Sequence, residues 1–177
     1  MWLKLIVACA AAGHTHTMPA KRKSADQWFA EYGESHQDHA NELIHWICVP
    51  VIFYTVMGFV WSIPVPADLH DAAPWFNWAL PVMLAVLAFY FRLSAPLAIG
   101  MLGFMSFCYS LLEWQGLLCP FPVWKSSLIL FVAAWIGQFI GHQIEGKKPS
   151  FFQDVQFLLI GPAWLLHFVY KRLNVEY

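Results

Sequence analysis

The chain has 177 residues, 59% of them hydrophobic and only 12% charged, against roughly 45–50% apolar and about 25% charged in soluble domains. That balance excludes an ordinary water-soluble globule. A net charge of -1 leaves no basic field to hold a polyanion, so no nucleic-acid partner is expected.

In chain order, Met1 to Gly13 is an apolar run with a single lysine. It reads as a weak signal-like stretch, or as an extension preceding a true start at Met18. Residues 1–24 are therefore expected to be a tail, and 25–177 one membrane-embedded helical domain. A short amphipathic helix is predicted from Ala25 to about Ser35, followed by four stretches free of Asp, Glu, Lys and Arg: Leu43 to Ala67, Ala72 to Phe91, Leu93 to Leu112 and Ser126 to Ile144. About 18 or more such residues suffice to cross a bilayer as a helix. A fifth apolar segment after Asp154 is interrupted by Gly161-Pro162 and is expected to be broken or re-entrant. The fold class is thus all-α: a polytopic membrane bundle of four spans plus that last segment.

Lys21, Arg22 and Lys23 precede the first span, Arg92 separates the second and third, and Lys147 with Lys148 follows the fourth, whereas the loop from Pro64 to Pro74 has no positive charge. By the positive-inside rule the N-terminus and the loops carrying these charges face the cytoplasm. Lys125 is the mild exception. Trp46, Trp61, Trp75, Trp114 and Trp124 lie near segment ends and fit an interfacial belt as well as plain packing. Cys9, Cys48, Cys108 and Cys119 form no CxxC and read as small buried hydrophobes.

The eight histidines carry the chemistry, because an unpaired polar group inside a membrane segment is expensive. His36, His39 and His45 cluster at the start of the first span, and His142 ends the fourth, all near one membrane face. His45 and His142 carry the most weight. Tyr32 precedes His36, Asn41 precedes His45 and Gln138 precedes His142 by one helical turn, so each can orient its imidazole. Glu145, three residues after His142, can complete a two-His-one-carboxylate set. His36 and His45 fall on opposite faces of an unbroken helix, so a shared metal requires a break between them, with Asp38 or Asn41 capping the new helix. His167 comes near the metal only if the last segment turns back, while His14, His16 and His70 read as bland. No GxSxG, phosphate loop, dinucleotide fingerprint or HExxH is present. Neutral imidazoles at a membrane boundary suit Fe(II), and also zinc or haem.

The blocks Tyr32-x3-His36-x4-Asn41-x3-His45-x4-Pro50, Trp135-x2-Gln138-x3-His142 and Glu145-Gly146-x2-Pro149 resemble the family of small membrane proteins that includes a yeast 2-hydroxy fatty acid dioxygenase. The likeness runs from about Trp28 to Tyr170. It implies an Fe(II)-dependent α-oxidation in which O2 shortens a long-chain 2-hydroxy fatty acid by one carbon, as in fungal phytosphingosine breakdown. It also implies that His36, His45 and His142 bind the metal; Asn41 and Gln138 match motif positions, and His39 does not. The acyl tail is expected among the bundle's apolar side chains, with Lys147, Lys148 or Arg92 near the acid head. A bacterial inner membrane or the endoplasmic reticulum fits, with the site toward the cytoplasm. Two readings from other classes remain open: a membrane haem or electron carrier using His45 and His142, and a non-catalytic lipid-binding scaffold.

Overall fold

A computed structural model of the chain describes residues 23–148 and 156–177. The signal-like stretch, Met18, Cys9, His14, His16, Lys21, Arg22 and Pro149 lie outside those residues. The described residues form seven helices and no strand: α1 (Ala25–Gly33), α2 (His39–Trp61), α3 (Ala67–Ala72), α4 (Ala79–Leu93), α5 (Ala95–Leu118), α6 (Val123–Glu145) and α7 (Phe157–Leu173).

α1 begins at a capping box. Ser24 Oγ accepts from the Gln27 amide, and Gln27 Oε1 accepts from the Ser24 amide, satisfying two donors that a helix start leaves orphaned. Its buried face is Trp28, Phe29 and Tyr32, the amphipathic pattern expected. The chain then turns, and Asp38 caps α2 by accepting from the Ala40 and Asn41 amides at 2.8 and 3.2 Å.

Among the described residues, three helices, α2, α5 and α6, are long and apolar enough to cross a membrane. The expected second span is shorter than its charge-free stretch. α4 has 15 residues and begins at Ala79, because residues 73–78 form the loop in which Asn77 Nδ2 donates to the Trp61 carbonyl and Asn77 Oδ1 accepts from the Ala79 amide. Absence of charge marks apolar surroundings, not helix. The first span likewise ends at Trp61 rather than Ala67, before Pro64 and Pro66.

α2 and α6 pack antiparallel along their lengths, and α6 stops at Gly146, whose φ of 73° is the left-handed conformation that glycine adopts without penalty. α7 corrects one expectation. It runs unbroken through Gly161 and Pro162. Pro162 is its sixth residue, past the first turn, and leaves the Leu158 carbonyl without its helical amide, as Pro50 does to one carbonyl inside the unbroken α2, and Gly161 serves close packing: a Cβ there would meet the Tyr32 hydroxyl at 2.9 Å. Both ends of α7 nevertheless stay at the end of the bundle where α2 begins, since Tyr90 donates to the Leu159 carbonyl and Tyr170 to the Pro96 carbonyl, each at 2.7 Å. Cys48 and Cys108 are buried and unpaired as read, but Cys119 is exposed because it caps the end of α5.

Candidate metal centre

Three elements converge where α2 starts and α6 ends. The turn after α1 places His36, the second turn of α2 places His45, and the last turn of α6 places His142. All three are buried, at 5%, 1% and 4% exposure, and their candidate ligand atoms lie within 4.8 Å of one another. The ring centroids of His36 and His142 are 5.1 Å apart, and those of His45 and His142 are 5.0 Å apart.

Hydrogen bonding fixes two of the rings. His36 Nδ1 donates to the Tyr32 carbonyl at 2.5 Å, and His45 Nδ1 donates to the Asn41 carbonyl at 2.8 Å. A carbonyl only accepts, so each Nδ1 carries the proton and each neutral ring has its lone pair on Nε2. Those two Nε2 atoms face each other at 2.8 Å. Two bare lone pairs at that distance repel unless a proton or cation lies between them. Burial pushes the pKa of His36 down to about 4, with His142 and Lys147 nearby acting in the same direction, so its ring is neutral at ordinary pH. His142 Nδ1 is buried without a partner. A set of buried neutral imidazoles with their acceptor nitrogens turned inward fits a metal ion, and the three histidines could hold one.

The turn-apart pairs read from the sequence are real neighbours, but the orienting atoms are backbone carbonyls rather than the Tyr32 and Asn41 side chains. Tyr32 O has no helical amide donor because α1 ends at Gly33, and it accepts from Ser35 Oγ at 3.4 Å as well as from the ring; Asn41 O uses the second lone pair of a helical carbonyl. The side chains serve differently. The Tyr32 ring stacks on His36 with centroids 4.2 Å apart. Asn41 Nδ2 donates to the Ser35 carbonyl at 3.1 Å and to Glu145 Oε2 at 2.5 Å. Gln138 is buried with its Nε2 unpartnered.

Glu145 is not turned to the histidines. Its Oε2 holds Asn41 and its Oε1 accepts from the Gln37 amide at 2.8 Å, so it straps the end of α6 to the start of α2. His39 is exposed at the first turn of α2. His167 is held elsewhere, with its Nδ1 against the Tyr177 hydroxyl and its ring 5.0 Å from that of Phe29. Lys147 donates to the Glu34 carbonyl, and Lys148 lines a shallow polar pocket with Glu31 and Glu34.

Two cavities meet at His36. One, of about 680 Å3, is edged by polar groups including Glu34, Gln37, Glu42 and Lys147. The other, of about 410 Å3, begins at Tyr32 and the three histidines and continues between α2, α4, α6 and the start of α7 over apolar side chains. The sequence reading missed the residues that close the centre, Gly137 and Gly141. A Cβ at Gly137 would lie 2.7 Å from Cys48 Sγ, and one at Gly141 would collide with Asn41 Oδ1. The Gly-x3-Gly spacing on an apolar helix was the available signal.

The chain matches the family model described as 2-hydroxy-palmitic acid dioxygenase Mpo1-like over residues 22–173. No curated protein and no solved structure matches it. The family match spans the turn, both histidine-bearing helices and all of α7, and on that basis the chain belongs to the Mpo1-like family.

Proposed function

We propose that the protein is an Fe(II)-dependent dioxygenase that shortens long-chain 2-hydroxy fatty acids by one carbon, with His36, His45 and His142 as the metal ligands. The observation that carries this reading is the pair of bare Nε2 atoms at 2.8 Å, beside His142, at the head of an apolar cavity. Iron bound there supplies O2 activation. The overall change balances without a further reductant: a 2-hydroxy acid and O2 contain the atoms of the next shorter acid, CO2 and water. The bond that breaks joins the carboxyl carbon to the hydroxyl-bearing carbon.

The chain's own residues position this chemistry. The Tyr32 and Asn41 carbonyls hold His36 and His45 in the tautomer that turns Nε2 inward. Gln138 Nε2, buried and unpartnered, is a donor for an oxygen of the acid head. The polar cavity edged by Lys147 faces the same histidine from the water side, a route for small polar products. Lys23, Arg92, Lys147, Lys148, Lys171 and Arg172 lie at the site's end of the bundle, and Lys125 at the other, which supports a site facing the cytoplasm. The haem reading is disfavoured, since His36 Nε2 at 2.8 Å from His45 Nε2 leaves no room for a porphyrin plane beside His45.

Anaerobic purification with Fe(II), followed by metal analysis and incubation of a 2-hydroxy long-chain acid under O2, tests the proposal. About one iron per chain and the acid one carbon shorter are expected, with both lost in His45→Ala and His142→Ala. A folded protein that retains no metal would overturn it and favour the lipid-binding scaffold.

A further inference from the structure

The apolar cavity below the histidines has a definite shape. Its floor is a stripe on α2 running from His45 through Val49, Ile52, Phe53 and Val56 to Val60, spaced so that one helix face is presented throughout. Val82 and Val86 of α4 form one wall, and Trp135 and Gln138 of α6 the other. Polar groups gather at the head, with Tyr32, the histidines, Gln138 and Gln156; beyond them the lining is aliphatic and phenyl side chains, the Met57 thioether and the Trp135 indole. The valines explain why the space stays open, since short side chains on α2 and α4 leave a gap that Leu or Phe would fill.

A groove polar at one end and apolar for the rest suits an amphiphile with one oxygenated head and one straight chain. The unpartnered Gln138 Nε2 marks the end where the head's oxygens go. Val56 of the floor and Val82 of the wall are 46% and 44% exposed, so the groove also opens sideways, and a chain enters from the surrounding lipid without threading.

Building on the proposed function, we infer that this groove is a length gauge for the acyl chain, with Val60 as its far mark. From His45 to Val60 the helix rises about 22 Å at roughly 1.5 Å per residue. A saturated chain of ~1.5 Å bonds advances about 1.25 Å per carbon, so the groove matches the length of about eighteen carbons, part of the chain lying in its open side. Val56 sits about 6 Å closer to the head, or about five carbons nearer. Each position along the stripe therefore corresponds to a chain length, and a bulky side chain placed there obstructs acids that reach it.

The test is retention of saturated 2-hydroxy acids, graded from about ten to about twenty carbons, by the full chain in lipid nanodiscs without O2. Under those conditions binding is read apart from turnover. For Val60→Trp, the ratio of long-acid to short-acid retention should drop about tenfold, the fall-off beginning near about seventeen carbons. For Val56→Trp it should begin about five carbons earlier. Where a Trp variant fails to fold, Val56→Leu and Val60→Leu are read the same way for smaller shifts. A loss equal at all lengths, or the same fall-off point for both positions, overturns the gauge. Graded retention with no shorter acid formed under O2 would instead overturn the proposed reaction and leave the gauge standing.

Discussion

The two faces of α2 do opposite things with similar apolar material. Toward α6, Gly58, Gly137 and Gly141 let the helices approach until Ser127, Cys48 and Asn41 fill the spaces where side chains would stand. Toward α4, a row of valines too short to fill the space between the helices leaves the cavity. In a bilayer the apolar surroundings give little reason for two apolar helices to pack, so the fit of surfaces decides whether a seam closes. The closed seam fixes histidines from two helices, while the open one leaves room beside them. The lesson is that residue size, more than hydrophobicity, divides scaffold from site here.

The largest effect is expected from forcing the closed seam open. Gly141→Leu would drive its side chain into Asn41, which is already held by Ser35 and Glu145 and cannot give way. Overpacking of this kind costs about 1–3 kcal/mol and sometimes more, and the upper end is expected here. Thermal unfolding in detergent should fall sharply and metal retention should go with it, because α6 carries His142 away from His45. Wild-type stability in this variant would mean that the seam is looser than its geometry.

Glu145 tests the strap at the seam's end. Glu145→Gln keeps the shape but sets an amide donor against either the Gln37 amide or Asn41 Nδ2, both of which donate to the carboxylate. A hydrogen bond to a charged group contributes roughly 1.5–3 kcal/mol. Because this strap is only partly buried, a loss of about 1–2 kcal/mol is expected. Metal content should persist in the folded fraction, since none of the three histidines is changed. Selective loss of metal at unchanged stability would instead make Glu145 a ligand.

How much of this was legible beforehand follows from what each signal measures. Composition and uncharged runs marked the long helices, because span length and apolarity are properties of the chain itself. The break between His36 and His45 was legible because helical periodicity forbids both on one face, and Asp38 stood ready to cap. Charge-free runs overshot at Ala72, since a loop pinned by Asn77 needs no charge. The unbroken α7 was obscured because Pro162 reads as a breaker, whereas a helix packed on both sides of a proline continues past it with one carbonyl unpaired, as α2 does at Pro50. The task of Glu145 was hidden for a different reason: a carboxylate three residues from a candidate ligand has the same spacing whether it turns toward the metal or away to an amide donor.

The smallest effect is expected at the cap. Asp38 Oδ1 accepts from two amides of the first turn of α2, and losing such a cap costs about 1 kcal/mol, whereas Asn caps about as well as Asp. Asp38→Ala should therefore lower stability by about 1 kcal/mol, and Asp38→Asn by much less. The cap also sets the direction in which α2 leaves the turn, so it governs the angle at which His45 meets His36. If that angle matters to the centre, Asp38→Ala should weaken metal retention beyond the change in folded fraction, and Asp38→Asn should restore it. Equal retention in both variants would confine Asp38 to helix stability and assign the alignment of the two rings to their carbonyl partners alone.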